Sequence, residues 1–212
     1  MTYHSQIGQD KWVESVLGDK RNGFFVELGA CDGLYYSNTL HFEREKGWNG
    51  ICIEPNDDYY SQLVKNRKCF TSNSLAGSYA GEIVEFSMCL AASGVLDENV
   101  GPFTNRNHIV NKTTTTLASI LKEYNAPAII DYLSLDVEGQ EYNILKTFPF
   151  NTYKFRCITV EHNEPHVGSG PQMKIREILL KNGYKYVKGN DDLHNWKHGP
   201  IDDFYIYDFS SL

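Results

Sequence analysis

A short apolar strand that runs into two closely spaced glycines constrains this chain more than any other feature. Residues 24–28 include aromatic and β-branched side chains, and Gly29 and Gly33 follow them. Aromatic and β-branched residues favour a packed strand, whereas glycine permits a tight turn and a close approach of the backbone to a ligand. Residues 37–47 then have a polar start and a terminal glycine, which is typical of a helix. The pattern predicts a strand, a turn and a helix that open towards a pocket.

An acidic residue at the end of the next predicted strand suggests what this pocket binds. Glu54 ends the strand at residues 50–54 and lies 21 positions after Gly33, where a carboxylate commonly holds ribose hydroxyls. The glycine pattern is G-x-x-x-G, so no pyrophosphate cradle is predicted. Glu27 would repel a pyrophosphate but could meet the amino group or the sulfonium charge of S-adenosylmethionine. An ordinary strand–helix–strand unit without a nucleotide remains an alternative at this point.

Strands and helices alternate along the rest of the chain. Further strands are predicted at residues 68–72, 82–88, 129–135, 157–160, 184–187 and 204–207. Helices are predicted between most of them, including one from Thr114 through Tyr124, but none between the last two strands. This order predicts an α/β fold with a doubly wound, mostly parallel sheet and an antiparallel pair at one edge. The 212 residues suit a single domain, 1–212, with a short N-terminal helix.

The least regular stretch is residues 89–113, in which Gly, Pro and Asn interrupt any periodicity. A long irregular loop in a compact domain is usually a lid, a binding loop or a disordered segment. We expect a substrate lid here, with a plain surface excursion as the alternative.

Composition narrows the choice of partners and compartment. The net charge is −7 and no run of Lys and Arg occurs, which argues against a nucleic-acid partner. Five cysteines, an odd number, favour reduced thiols over a disulfide framework. No apolar run reaches the roughly 18 residues of a membrane span, and the start of the sequence has no signal-peptide pattern. We therefore expect a cytoplasmic protein. His194 and His198 have metal-ligand spacing, but no third ligand is nearby, so no zinc site is predicted.

Taken together, these motifs resemble the FkbM-like methyltransferases, a family of S-adenosylmethionine-dependent enzymes. The resemblance rests on residues 5–10, 24–33, 37–39, 47–56 and 133–141. It implies the seven-stranded, Rossmann-like sheet of class I methyltransferases, with an antiparallel last strand. It also implies O-methylation of a hydroxyl on a sugar, glycan or small natural product.

The predicted cofactor site follows from strand ends. In an open parallel sheet, ligands bind beyond the carboxyl ends of the strands, and the first three strand ends would surround the methionine, ribose and adenine groups. The expected cofactor-binding residues are Glu27, Gly29, Ala30, Asp32, Gly33, Ser37, Asn38, Glu54, Pro55, Asn56, Asn73, Ser74, Leu75 and Asp136.

The fourth and fifth strands end in a polar cluster that would face the acceptor. The expected catalytic residues are Asp136, Glu138, Glu161 and His162, although acids at strand ends are also common as helix caps. A histidine is better matched than an ordinary carboxylate to take a proton near neutral pH. A divalent metal such as Mg²⁺, held by Asp136, Glu161 and His162 or Asn163, is the alternative activator of the hydroxyl.

Two other functions share this fold. A non-catalytic module that binds S-adenosylmethionine would be expected to lack the acidic residues of the catalytic site, yet these residues are present. A nicotinamide-dependent oxidoreductase is disfavoured by the missing G-x-G-x-x-G pattern and by Glu27. The prediction is therefore a methyltransferase.

Overall fold

The computed structural model describes residues 2–98, 100–189 and 201–209. The helices are α1 (Gln9–Leu17), α2 (Leu40–Lys46), α3 (Asp57–Asn66), α4 (Leu117–Glu123), α5 (Glu141–Leu145), α6 (Glu164–Val167) and α7 (Gly170–Lys181), with a 3-10 turn at Leu90–Ala92. The strands are β1 (Phe24–Leu28), β2 (Asn49–Ile53), β3 (Phe70–Ser72), β4 (Leu75–Gly77), β5 (Ile83–Ser87), β6 (Gly94–Val95), β7 (Ile109–Thr116), β8 (Ile129–Leu135), β9 (Lys154–Glu161), β10 (Tyr184–Gly189) and β11 (Asp202–Tyr207). His194 and His198 lie outside the described residues.

Seven strands form the main sheet in the order β10–β11–β9–β8–β1–β2–β3. The pairs from β9 through β3 are parallel, and β11 is antiparallel to both of its neighbours. The predicted doubly wound α/β sheet with an antiparallel last strand is confirmed.

Strand register aligns the carboxyl ends of the central strands. Leu28 pairs with Ile53 on one side and with Leu135 on the other, and Leu135 pairs in turn with Val160. These four positions are each followed by a residue of the predicted site. In the order Leu28, Ile53, Leu135 and Val160, the following residues are Gly29, Glu54, Asp136 and Glu161. Parallel strands lie about 4.8 Å apart, so these residues form one short row at the edge of the sheet.

The core lies on both faces of this sheet. In β8, Ile130, Tyr132, Leu133 and Leu135 are all almost fully buried, so neither face of the central strand meets solvent. Each buried aliphatic or aromatic side chain of this size contributes about 1.5–3 kcal/mol. The strand ends are therefore held rigidly.

A second, four-stranded sheet in the order β4–β7–β5–β6 was not predicted. Residues 109–113, expected in the irregular segment, belong to β7, and Thr114–Thr116 continue that strand instead of starting a helix. Consecutive β-branched threonines favour a strand. The helix α4 starts at Leu117, where the hydroxyl of Thr116 accepts the N–H of Ser119 (3.1 Å).

The helix after the glycine turn is also shorter than predicted, since α2 begins at Leu40. The hydroxyl oxygen of Ser37 accepts the backbone N–H groups of Thr39 (3.3 Å) and Leu40 (3.2 Å). Six residues of loop thus lie between Gly33 and the helix start, and that helix does not open directly onto the pocket.

The structure describes the cysteines and the helices on which the expectations about compartment were based. All five cysteines are described, and each is a free thiol. Within the described residues, no helix combines the length and apolarity needed to cross a bilayer.

Candidate active site

The turn after β1 depends on a glycine that touches the neighbouring strand end. Gly29 has a φ of +77°, and a Cβ added there would lie 1.8 Å from the backbone oxygen of Asp136. No side chain fits this contact, whatever its rotamer. The glycine therefore lets the β1 turn reach the end of β8.

Glu54 is fixed by two backbone donors. Its buried carboxylate accepts the N–H of Cys31 (2.9 Å) through Oε2 and the N–H of Asn56 (2.7 Å) through Oε1. Burial raises its pKa to about 7. The side chain is thus oriented before any ligand arrives and is poised between its charged and neutral forms.

Glu27 has a charge partner within the protein. Arg67 Nη1 lies 3.3 Å from its Oε2, and both side chains are almost fully buried. The hydroxyls of Ser37 (3.0 Å) and Thr39 (2.6 Å) donate to the same oxygen, and the N–H of Asn38 donates to Oε1 (2.6 Å). The carboxylate that was expected to meet an amino or sulfonium group thus already has a charge partner in Arg67, and its hydrogen bonds hold the loop before α2.

Two cavities meet at the carboxyl edge of the sheet. The first, the apolar cavity, has Leu28, Ile53, Leu75, Phe86 and Val95 among its walls. The second, the acidic cavity, is lined in part by Glu27, Asp136, Glu138 and Glu161. Gly29, Ala91, Asp136 and Glu138 line both cavities, so the two spaces adjoin.

Most of the predicted cofactor residues lie at these cavities. The lining residues from that set are Glu27, Gly29, Ser37, Asn38, Glu54, Pro55, Ser74, Leu75 and Asp136. The amide Nδ2 of Asn38 donates to the hydroxyl of Ser134 (2.8 Å), while its buried Oδ1 has no partner among the described residues. This unpaired acceptor belongs to a cavity-lining residue and is a candidate contact for a ligand.

The other predicted cofactor residues stabilise the turns and the helix start next to the cavities. The Asp32 carboxylate accepts the backbone N–H groups of Leu34 (2.9 Å) and Tyr35 (2.7 Å). Asn56 caps α3, and the Asn73 amide donates to the backbone oxygen of Glu54 (2.9 Å). Ala30 and Gly33 complete the same turn through a backbone hydrogen bond of 2.8 Å. None of these five residues is among the lining residues of the two cavities.

Three carboxylates converge where the cavities meet. Asp136, Glu138 and Glu161 each offer an oxygen within 4.8 Å of the other two. The Oε2 atoms of Glu138 and Glu161 are buried and have no hydrogen-bond partner in the part of the chain that the structure describes. Burial and the neighbouring acids raise the pKa of Glu138 to about 8 and that of Glu161 well above its usual value, and burial also raises the pKa of Asp136. The cluster therefore retains protons at neutral pH or requires a cation between its members.

Glu138 is held in an uncommon backbone conformation under the loop that follows β6. Its φ is +56°, which is uncommon for a non-glycine residue. The backbone N–H of Gly101 donates to the Glu138 carbonyl (2.8 Å), and a Cβ at Gly101 would lie 2.2 Å from Glu138 Oε2. A Cβ at Gly94 would lie 3.2 Å from the Glu138 Cβ. Two glycines thus allow this segment to pack directly on Glu138.

His162 is separated from the cluster it was expected to join. Its Nδ1 accepts the N–H of Glu164 (3.1 Å), while Nε2 lies 3.1 Å from the Gln172 amide and 3.4 Å from Asp203. It lines neither cavity. Successive side chains along an extended strand point to opposite faces, so Glu161 faces the cavity and His162 does not. The expectations of a His162 base and of an Asp136–Glu161–His162 metal site are corrected accordingly, with Glu138 as the third ligand candidate.

Several cavity residues were not predicted. Tyr35, Tyr36, Phe103 and His166 line the acidic cavity, and Asn163, considered only as a metal ligand, lies there as well. The pair of tyrosines directly after the glycine turn was a usable signal. Phe103 and His166 come together only through the tertiary fold, with ring centroids 5.2 Å apart.

Comparison with known protein families identifies the family to which this chain and its site belong. The sequence matches the methyltransferase FkbM domain over residues 27–186. The chain belongs to the FkbM methyltransferase family. The matched range contains the whole acidic cluster, and the predicted family and enzyme class are confirmed: this FkbM domain is a methyltransferase. A comparison with curated proteins found no match.

Solved structures that resemble this FkbM methyltransferase are methyltransferases of low sequence identity. Precorrin-6y C5,15-methyltransferase from Geobacter metallireducens has a TM-score of 0.51 and 12% identity, over 94% of this chain and 88% of that one. Aeropyrum pernix fibrillarin with bound S-adenosyl-L-methionine has a TM-score of 0.53 and 11% identity, over 96% and 75%. The N-terminal domain of human METTL16 with SAH has a TM-score of 0.53 and 11% identity, over 98% and 72%. These similarities concern the fold.

Proposed function

We propose that this FkbM methyltransferase transfers a methyl group from S-adenosylmethionine to a hydroxyl oxygen of a sugar, glycan or small natural product. The observation that carries the proposal is that Asp136 and Glu138 line both the apolar and the acidic cavity. Methyl transfer is an in-line displacement, so donor and acceptor must meet at one point in a defined orientation. Two adjoining cavities with acids at their junction provide such a point.

The apolar cavity suits the adenosine part of the cofactor. Its aliphatic and aromatic walls would cover the adenine ring, and Glu54 at the end of β2 would accept hydrogen bonds from the ribose hydroxyls. Two of the similar folds contain this cofactor or its product, one with bound S-adenosyl-L-methionine and the other with SAH. The sulfonium group would then lie at the shared residues Gly29 and Asp136.

The acidic cavity then holds the acceptor, and Glu138 serves as the base. As the C–O bond forms, the C–S bond breaks and its electron pair returns to sulfur, so the hydroxyl proton must go to the protein. A carboxyl group with a pKa of about 8 is far better matched to this transfer than an ordinary carboxylate. The unpartnered Oε2 of Glu138 is the atom that accepts the proton.

Binding of a divalent cation such as Mg²⁺ is the other role that this acidic cluster fits. Asp136, Glu138 and Glu161 would hold it, because an all-oxygen ligand set suits Mg²⁺ or Mn²⁺ and two of the oxygens have no partner among the described residues. Such an ion would lower the pKa of a bound hydroxyl.

Substitution of Glu54 by glutamine is expected to weaken the binding of S-adenosylhomocysteine at least about tenfold. A charge-assisted hydrogen bond contributes about 1.5–3 kcal/mol, and glutamine retains one oxygen but loses the charge. Wild-type affinity should rise from pH 6 to pH 8, because the ribose donors favour the ionised form of a carboxyl whose pKa is about 7. Titration calorimetry in buffers of different ionisation enthalpy would measure the affinity and the release of protons.

The matched control for this experiment is Glu177→Gln, a change at an exposed position on α7. It should leave both the affinity and its pH dependence unaltered. Tighter binding of NAD than of S-adenosylhomocysteine would contradict the cofactor assignment.

The segment predicted as a lid, residues 89–113, is proposed to gate the acceptor site. Its moving portion would lie between β6 and β7. Its support is the packing of Gly101 on Glu138, where the Gly101 N–H donates to the Glu138 carbonyl (2.8 Å) beside the proposed base. Amide hydrogen exchange in this portion should be fast in the free protein and slower with S-adenosylhomocysteine and an acceptor bound. The paired strands β5 and β7 serve as internal reference, and strong protection of the lid in both states would contradict a gating role.

A further inference from the structure

Two pairs of aromatic rings flank the mouth of the acidic cavity. Tyr35 and Tyr36 have ring centroids 4.1 Å apart and are 52% and 48% exposed. Phe103, which is 61% exposed, contacts the ring of His166 edge to face. All four residues line the cavity. Large apolar side chains left exposed together around a concave site commonly mark a binding surface.

The turn that presents the tyrosines is strained and braced. Tyr36 has a φ of +50°, a conformation that is costly for a bulky side chain. The Asp32 carboxylate accepts the N–H of Tyr35, and the Asn66 amide donates to the Asp32 carbonyl (2.8 Å). Such strain persists only where the surrounding structure enforces it, and it concentrates at functional sites. The backbone here is held so that both rings face the cavity mouth.

The acidic residues that form the floor of the cavity differ chemically from the four aromatic residues described above, which form its rim. Asp136, Glu138 and Glu161 offer several hydrogen-bond acceptors, whereas the described lining residues include no Lys or Arg. An anionic acceptor would therefore bring a further negative charge beside these acids, and no Lys or Arg among the described lining residues would pair with it. A flat phenol would stack on the rim but would bring a single hydroxyl donor to three carboxyl groups.

We infer that the acceptor is a neutral pyranose sugar, whose ring stacks on Tyr35 and Tyr36 while its hydroxyls reach the acidic floor. A pyranose ring combines an apolar C–H face with several hydroxyl donors, which matches this rim and this floor. Phe103 closes the opposite side of the ring. The inference rests on the proposed O-methyltransferase function and assigns specificity to the aromatic rim.

Nuclear magnetic resonance of the protein with ¹³C-labelled tyrosine rings tests the inference. With S-adenosylhomocysteine saturating, the probes are neutral methyl pyranosides of several configurations, a methyl hexuronide and phenol. We expect the Tyr35 and Tyr36 resonances to shift with at least one neutral pyranoside, and the matching hexuronide to bind at least about tenfold more weakly.

Variants then assign the stacking to these rings. Tyr35→Ala and Tyr36→Asn should each weaken pyranoside binding about tenfold, the scale of a lost aromatic stack. Asparagine is chosen at position 36 because it tolerates a positive φ. Tyr79→Ala removes an equally exposed tyrosine outside this cavity and should change nothing. Affinity for S-adenosylhomocysteine should stay within about twofold in all three variants.

The possible outcomes distinguish a failure of cofactor binding from a failure of sugar recognition. If wild-type protein fails to bind S-adenosylhomocysteine, the proposed function itself is wrong. If that ligand binds and phenol shifts the tyrosine resonances while no pyranoside does, or if no probe shifts them, the sugar inference is overturned. Preferential binding of the hexuronide would overturn it as well.

Discussion

Replacing Glu138 with glutamine is expected to lower turnover about 10²-fold or more, the usual scale for a general base. The change removes the proton-accepting oxygen but preserves the size of a side chain packed against Gly101. The affinity for S-adenosylhomocysteine should change by less than about threefold, since Glu54 and the apolar walls hold that ligand. Steady-state kinetics with an identified acceptor, together with calorimetry, would measure both quantities.

The pH dependence gives this prediction a second readout. A base acts in its ionised form, and the pKa of Glu138 is raised to about 8, so the wild-type rate should rise with pH towards 8 and level off above it. The profile should disappear in Glu138→Gln and persist in Glu98→Gln, an exposed position in the adjoining loop. It should also persist in His162→Gln, because that ring does not line the cavity. Full activity of Glu138→Gln would place the proton acceptor elsewhere.

The same kinetics distinguish a carboxylate base from a metal. If a chelator abolishes the wild-type rate and Mg²⁺ or Mn²⁺ restores it, the three carboxylates serve as ligands. If the chelator has no effect, Glu138 acts as the base without an ion.

Replacement of Arg67 by methionine is expected to lower the free energy of unfolding by about 3–5 kcal/mol, the cost of leaving a buried charge without its partner. The Arg67 guanidinium is fully buried, lies 3.3 Å from Glu27 and 3.1 Å from Glu43, and donates to the hydroxyls of Ser37 (3.0 Å) and Thr39 (2.9 Å). Without it, two carboxylates lose their charge partner. Urea denaturation at constant pH would measure the loss.

A double-mutant cycle isolates the pair. Glu27→Gln in the Arg67→Met background should recover part of the lost stability, because it removes the uncompensated charge. Arg106→Met is the exposed control and should change stability by less than about 0.5 kcal/mol. A loss below about 1 kcal/mol in Arg67→Met would place this pair with exposed ion pairs and contradict the structural role assigned to it.

The sequence alone determined where the strand ends lie. Alternating strands and helices require a parallel sheet, and the carboxyl ends of parallel strands share one edge. Glu54, Asp136 and Glu161 could therefore be placed together from their positions in the chain. Glu138 belonged to that cluster on the same grounds, and the glycine turn was recognisable because Gly29 and Gly33 need backbone freedom that other residues lack.

The partner that each side chain finds depends on the tertiary structure. Glu27 was read as a ligand contact, but the charge it pairs with, Arg67, comes from a distant helix end, and no local pattern records that contact. His162 was assigned to the cluster by proximity in sequence, and the alternation of side chains across the sheet then placed it away from Glu161. The covering of Glu138 by Gly94 and Gly101 depends on contacts across more than thirty positions of the chain. Local propensity fixes strands, turns and caps, whereas pairing between distant segments is set by packing, which the sequence does not display residue by residue.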